Sequence, residues 1–311
     1  MIDFRYHLVS VIAIFLALAV GIVLGTTKLN GAVLDNLNGQ VAGLRADKQD
    51  LRTQLGQTQS QVASDGAFVK LVLPMLVAGR LEGERVAVIS TPGTPDALRR
   101  DVVAALLGAG AKVTVQLRIT SDYVDPAKDA VLARLVTGFV PPAREVPSGD
   151  GAQRAAAELA AAVVTKPGVD PGRDRVAAQV LRTFSQAGMI SVTSGSAGAA
   201  TLAVLLTGPA EKARSDATAK GAAILLSLAA ALDARSGGAV IGGPLTATTN
   251  DGLLAAARST NPVNRVVGTV DSADLPVGQV ETVLALAAQL RGQTVAWGAG
   301  PGTTVPKLAP S

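Results

Sequence analysis

Seventeen consecutive residues, Leu8–Leu24, carry no charge, and Ser10 is the sole polar side chain among them. As a helix the run spans about 26 Å, close to the ~30 Å hydrocarbon layer of a bilayer. Phe4 and Tyr6 stand at one end, at headgroup level, and Lys28 marks the other. A buried helix of a soluble protein is the competing reading, but a first segment apolar on every face fits it poorly. A cleaved signal peptide needs a shorter apolar core and a small-residue cleavage site. Gly25-Thr26-Thr27-Lys28 is a poor site, so an uncleaved signal anchor over 1–28 fits better. Charge sets the orientation only slightly, with Arg5 opposing Lys28. The expectation is a start that stays inside and residues 30–311 outside the cytoplasm.

A second pattern lies within the anchor. Ala13, Ala17, Gly21 and Gly25 recur every fourth residue. Small residues at this spacing let two helix backbones approach closely in lipid, where packing drives association. In a chain this rich in alanine, chance placement is the alternative. Beyond the anchor, Leu34, Leu37, Val41, Leu44, Lys48, Leu51, Leu55, Thr58 and Val62 alternate steps of three and four. That is the 3.5-residue period of a coiled-coil seam over 29–64. Lys48 at a seam position reaches solvent most easily in a two-stranded coil, so a parallel homodimer is expected. A single amphipathic helix packed on its own domain is the alternative. Ser64-Asp65-Gly66 interrupts the pattern, and Pro74 is expected to kink or end a helical connector over 65–81.

From residue 82 to 297 the texture is α/β. Arg85–Ser90 reads as an apolar strand, Ala97–Leu107 as an amphipathic helix and Lys112–Leu117 as a second strand. Helices near 174–187, 216–234, 250–259 and 278–290 alternate with strands near 201–206, 239–242, 265–270 and 294–297. The expected fold class is α/β, with a mostly parallel, Rossmann-like sheet covered by helices on both faces. Pro141–Gly151 reads as a loop, and Gly298–Ser311 as a Gly/Pro-rich tail.

Composition removes several chemistries. The chain has no Cys and one His, so thiolate sites, disulfides and Ser-His-Asp triads drop out. Five Phe, two Tyr and one Trp are too few for the aromatic belts of a membrane barrel or for stacking on single-stranded nucleic acid. A net charge of +4 over 311 residues is no nucleic-acid footprint. No phosphate loop and no G-x-S-x-G elbow occur, and no enzyme, cofactor or nucleic-acid partner is expected. In such a sheet ligands sit beyond the carboxyl ends of strands. The loops there carry Ser90, Thr91 and Gly93, and Gly242, Gly243 and Thr248. Ordinary turn and cap chemistry is their competing explanation. His7 adjoins the membrane start, and Met1, Met75 and Met189 are scattered, so no soft-metal site is expected.

The opening Met1-Ile2-Asp3-Phe4-Arg5-Tyr6-His7-Leu8-Val9-Ser10, continuing through Ile14 to Gly25, resembles the MctB family of actinobacterial copper transporters. The similarity extends in layout over the anchor, the heptads, the α/β segment and the end beginning Trp297-Gly298-Ala299-Gly300. The resemblance implies a cell-envelope protein, described as pore- or channel-forming, that keeps intracellular copper low. The residues themselves imply no copper carrier. One helix with Ser10 as its polar group also lines no water-filled pore, and continuous apolar strands lack the alternation of a barrel.

Overall fold

The computed structural model describes residues 4–138, 148–168, 175–195, 200–210, 215–249 and 252–306, with side chains at 4 and 26–34 excepted. The chain divides into two units, Met1–Asp65 and Gly66–Ser311.

One helix, α1 (Phe4–Val77), occupies the first unit and enters the second. Every described side chain from 5 to 25 is exposed, as are Leu37, Val41, Leu44, Lys48, Leu51, Leu55 and Val62. The side chain of Leu34 lies outside those described. Ala13, Ala17, Gly21 and Gly25 are all exposed, and a methyl group added at Gly21 or Gly25 would meet nothing within 4 Å. The helix runs through Ser64-Asp65-Gly66 without a break, so what fails there is the apolar pattern and not the backbone. A mid-helix Gly costs about 1 kcal/mol relative to Ala. Burial just beyond it offsets that cost. Val69, Leu73 and Leu76 pack on the second unit's core and Val77 is fully buried, while Phe68, Leu71 and Met75 stay exposed. Pro74 lies inside α1, with its carbonyl accepting from the Ala78 N–H at 3.1 Å. Proline has no N–H to give the carbonyl four residues earlier, and the helix ends three residues after it.

The second unit is a seven-stranded sheet. Its strands are β1 (Arg85–Ser90), β2 (Lys112–Ile119), β3 (Ile190–Gly195), β4 (Leu202–Leu206), β5 (Ala239–Gly242), β6 (Gly268–Val270) and β7 (Ala296–Trp297). They lie in the order β3-β2-β1-β4-β5-β6-β7, and every neighbouring pair is parallel except β2 with β3. The central strands are apolar throughout because both faces are covered. In β1, Ala87 and Ile89 enter one core and Val86 and Val88 the other; in β4, Ala203 and Leu205 oppose Leu202, Val204 and Leu206. Each large side chain so buried contributes about 1.5–3 kcal/mol.

The first core is covered by α4 (Asp129–Thr137), α5 (Gly151–Val163), α6 (Arg175–Gln186), α7 (Asp216–Arg235) and α8 (Leu253–Ser259). The second is covered by the end of α1, by α2 (Asp96–Gly108) and by α10 (Pro276–Gln289). Short helices α3 (Ser121–Val124) and α9 (Val263–Val266) complete the set. By length and composition, segments Arg5–Gly25, Asp35–Val77 and Asp216–Arg235 could each cross a membrane. The last is α7, a core helix with Leu228 and Leu232 fully buried.

The structure departs from the sequence expectation at several points. Strand β3 is antiparallel. Residues 263–266 are helical, which shortens the strand expected from 265. The last strand is two residues rather than four, and α8 starts at Leu253 rather than 250. Residues 141–147 of the expected loop lie outside the described residues, and Gly151 opens α5 instead of ending a loop. There Asp150 and Gln153 form a reciprocal capping box. The tail is less irregular than its composition implies, since Thr304 bridges to Trp297; residues 307–311 lie outside those described.

Candidate functional site

Strand order reverses between β1 and β4, because the chain proceeds outward from β1 through β2 and returns to β4 on the other side. Loops diverge at such a point and leave a crevice beyond the carboxyl ends. Here the two loops are first tied together. The Thr91 N–H donates to the Leu206 carbonyl at 2.8 Å, and the Thr94 hydroxyl donates to the same oxygen at 2.9 Å. Gly208 is required by this closeness, since a Cβ there would lie 2.2 Å from the Gly93 carbonyl oxygen. Beyond the tie the loops open into a cavity of about 550 Å³. Thr91, Thr207, Ser121, Asp122, Asp125 and Thr218 give it polar walls; Pro92, Val124, Leu225 and Leu253 give it apolar ones.

Most of these polar groups are already engaged. Asp125 accepts from the Ala127 N–H at 2.9 Å, and Asp122 lies 3.8 Å from the Lys128 ammonium. Ser215 caps α7 by accepting from the Thr218 N–H at 3.1 Å. The crevice therefore offers hydroxyls and carboxylates on rigid supports, a surface suited to binding a small polar molecule. Of the six loop residues nominated from sequence, Thr91 lines this cavity. Ser90 lies buried behind it with no hydrogen-bond partner for its hydroxyl. Gly93 supplies the carbonyl that faces Gly208. Gly242 and Gly243 lie close to Leu206 and Thr207 respectively and do not line the cavity. Thr248 turns away and donates to the Leu245 carbonyl at 2.7 Å. Thr207 and Gly208 were not nominated; Thr-Gly-Pro directly after an apolar strand was the available signal.

A buried charge cluster lies at the end of β6. Asp271 is 0% exposed and pairs with the Arg258 guanidinium at 2.9 Å. Its carboxylate also accepts from the backbone N–H of Ala299 at 2.6 Å and of Gly300 at 3.1 Å. Arg258 donates to the Thr269 hydroxyl at 3.0 Å and to the Trp297 carbonyl at 3.4 Å. Gly298, with φ +132°, lets the tail wrap the carboxylate; a Cβ there would collide with Asp271. Nearby Glu281 is 4% exposed, and burial, then the Asp271 charge, pushes its pKa up to about 7. The cluster fastens the tail to the sheet.

Copper ligands are not assembled. His7 and Met75 are exposed on α1, and Met189 is buried in the core. Among the described residues no group of three His, Asp or Glu side chains could hold a metal ion.

These features define an α/β protein with an open crevice at its sheet reversal and a long first helix apolar enough to enter a membrane. The chain belongs to the MctB family: the family model described as "Copper transport outer membrane protein, MctB" matches residues 1–307. It is 30% identical to proteins named copper transporter MctB from Mycobacterium bovis and Mycobacterium tuberculosis, over 97% of this chain and 98% of theirs. The similarly named protein of Mycobacterium leprae is 28% identical, over 98% of each chain.

Proposed function

We propose that this chain is a membrane-anchored envelope protein that takes part in copper export or resistance without itself holding the ion. The end-to-end likeness carries the reading: the family match covers residues 1–307, so the apolar helix and the α/β unit belong to one relationship. In this reading α1 is a single-pass, uncleaved anchor over 8–25, the heptads dimerise it in parallel, and the α/β unit lies outside the cytoplasm. Copper(I) prefers thiolate and thioether ligands and copper(II) prefers imidazole. With no Cys, one His and three Met, the chain offers neither set. Its part is then indirect, as an organiser of other envelope components. A conducting role would need several copies of the span Leu8–Leu24, whose one polar side chain is Ser10, to enclose a wet path, which lipid disfavours.

A strain lacking the gene should accumulate copper and be rescued by the full chain, but not by residues 30–311 alone. Unchanged copper content would remove the copper role. Full rescue by the anchorless form would remove the need for anchoring. Stepwise conductance of the purified protein in planar bilayers would turn the organiser into a channel. Titration of the full chain against a copper(I) chelator should leave no metal after dialysis; one equivalent held below micromolar would reinstate a direct carrier.

The position of the crevice supports a second reading for the α/β unit: recognition of a small polar ligand between the β1 and β4 loops.

A further inference from the structure

The sheet has two edges, and they are treated differently. At the β7 edge the chain covers itself, since Thr304 bridges to Trp297. At the other edge β3 has β2 on one side and, among the described residues, no strand on the other. Exposed edges are usually guarded by charge, proline or a bulge. Ile190-Ser191-Val192-Thr193-Ser194-Gly195 contains no charge and no proline, its register with β2 slips once, just beyond Val192, and every residue from Ser191 to Gly195 is exposed. The Thr120 N–H donates to the Met189 carbonyl at 3.1 Å. The alternation of an antiparallel ladder then turns the Val192 amide and carbonyl outward, away from β2.

Helix α6 runs beside this edge, and a groove of about 400 Å³ lies between them. Ala178, Leu181 and Val192 form its apolar side, and Arg182, Ser185 and Gln186 its polar side. Val192 follows the core residue Ile190 by two positions, so it shares the face on which α6 packs. Arg182 is exposed, and no carboxylate is among the lining residues.

We propose that β3 and α6 form a strand-addition site for an extended, carboxylate-bearing segment of a partner polypeptide. The segment pairs with the outer edge of β3, places alternate side chains in the groove and sets its carboxylate on the Arg182 guanidinium. Main-chain pairing supplies affinity in such sites and the groove supplies selectivity. A guanidinium favours a carboxylate because the two can bond in a bidentate fork. A second copy of this chain is the poorer occupant, since its own β3 carries no charge and would bring another Arg182 towards the first. The proposal rests on the α/β unit alone and does not depend on the copper reading.

The test selects random decapeptides displayed on phage against the full chain in detergent micelles, then measures the recovered peptides in solution by fluorescence anisotropy. Recovered sequences should alternate β-branched or apolar residues and carry one Asp or Glu. Arg182→Glu should weaken them about tenfold or more, and replacing the peptide's acid by Lys should restore binding to that variant. Val192→Pro removes an outward N–H and should abolish binding while leaving the thermal midpoint near that of the parent. If Val192→Pro lowers that midpoint sharply, the Arg182→Glu charge exchange decides alone. No recovered binder, or binders indifferent to Arg182→Glu, would overturn the proposal. So would self-association of the full chain that Val192→Pro disrupts, which would make a second copy the occupant.

Discussion

Asp271 has no water to turn to if its partners are removed. Its carboxylate is matched by Arg258, which is itself mostly buried, and by two amides of the tail. Breaking one side of a buried pair costs about 3–5 kcal/mol, because the other charge stays buried. Asp271→Ala should therefore lower the stability of the full chain by that order in denaturant titrations, and should expose the tail to protease after Trp297. An unchanged midpoint would show that the pair contributes nothing. Glu281 gives a pH signature of opposite sign to most carboxylates. Burial raises its folded pKa from an ordinary 4.5 to about 7. Between those values the folded state binds more proton than the unfolded one, so stability falls as pH rises through that window and the contribution is gone above about 7. Stability measured from pH 5 to 8 should decline, and Glu281→Gln should flatten the decline. None of this was legible in the sequence. An Asp after a three-residue strand carries no mark of burial, and its partners stand thirteen residues before it and nearly thirty after.

The elements were legible where burial is two-sided. In β1, β4 and β5 runs such as Val86-Ala87-Val88-Ile89 declare themselves because no face need be polar, whereas β2 declares itself by alternation, with Val115, Leu117 and Ile119 buried and Thr114, Gln116 and Arg118 between them. Strand β3 did not, since its Ser, Thr and Gly content matches a loop and only Ile190 is buried. Helix α5 is mostly alanine beside a proline-rich segment, and Asp150 with Gln153 was the one cue to its start. Along α1 the apolar positions from Leu37 to Val62 are exposed, and the proposal that they pair two copies is tested by association. Gly21→Leu should weaken a dimer by blocking close approach in lipid. Leu44→Asp should weaken it more, by placing a charge in the seam. The readout is disulfide crosslinking through Leu37→Cys in membranes, which should capture most of the parent chain as dimer and a several-fold smaller share of either variant. Absence of any crosslinked dimer in the parent would mean that the seam does not pair.

For the whole molecule, the prediction concerns what stays attached. If the anchor is uncleaved, mass spectrometry of membrane-extracted protein should recover peptides from residues 1–28. A mature start near residue 26 would make the apolar helix a discarded leader. At this scale the sequence was informative because a run without charge has few places to go, whereas the crevice needed strands β1 and β4, over 110 residues apart, to become neighbours. The clamp at the end of β6 also governs how such a chain is made. Synthesis delivers residues in order, and domains tend to close as soon as their parts have emerged. Here the carboxylate of Asp271 receives its last two donors from Ala299 and Gly300, and β7 is supplied by Ala296–Trp297. The α/β unit therefore stays unfinished until its final residues emerge. A nascent chain held in that state keeps an open edge beside β6 and a buried-to-be acid without its amides. A chain cut off before Ala299 would lack both of the amides that close the cluster.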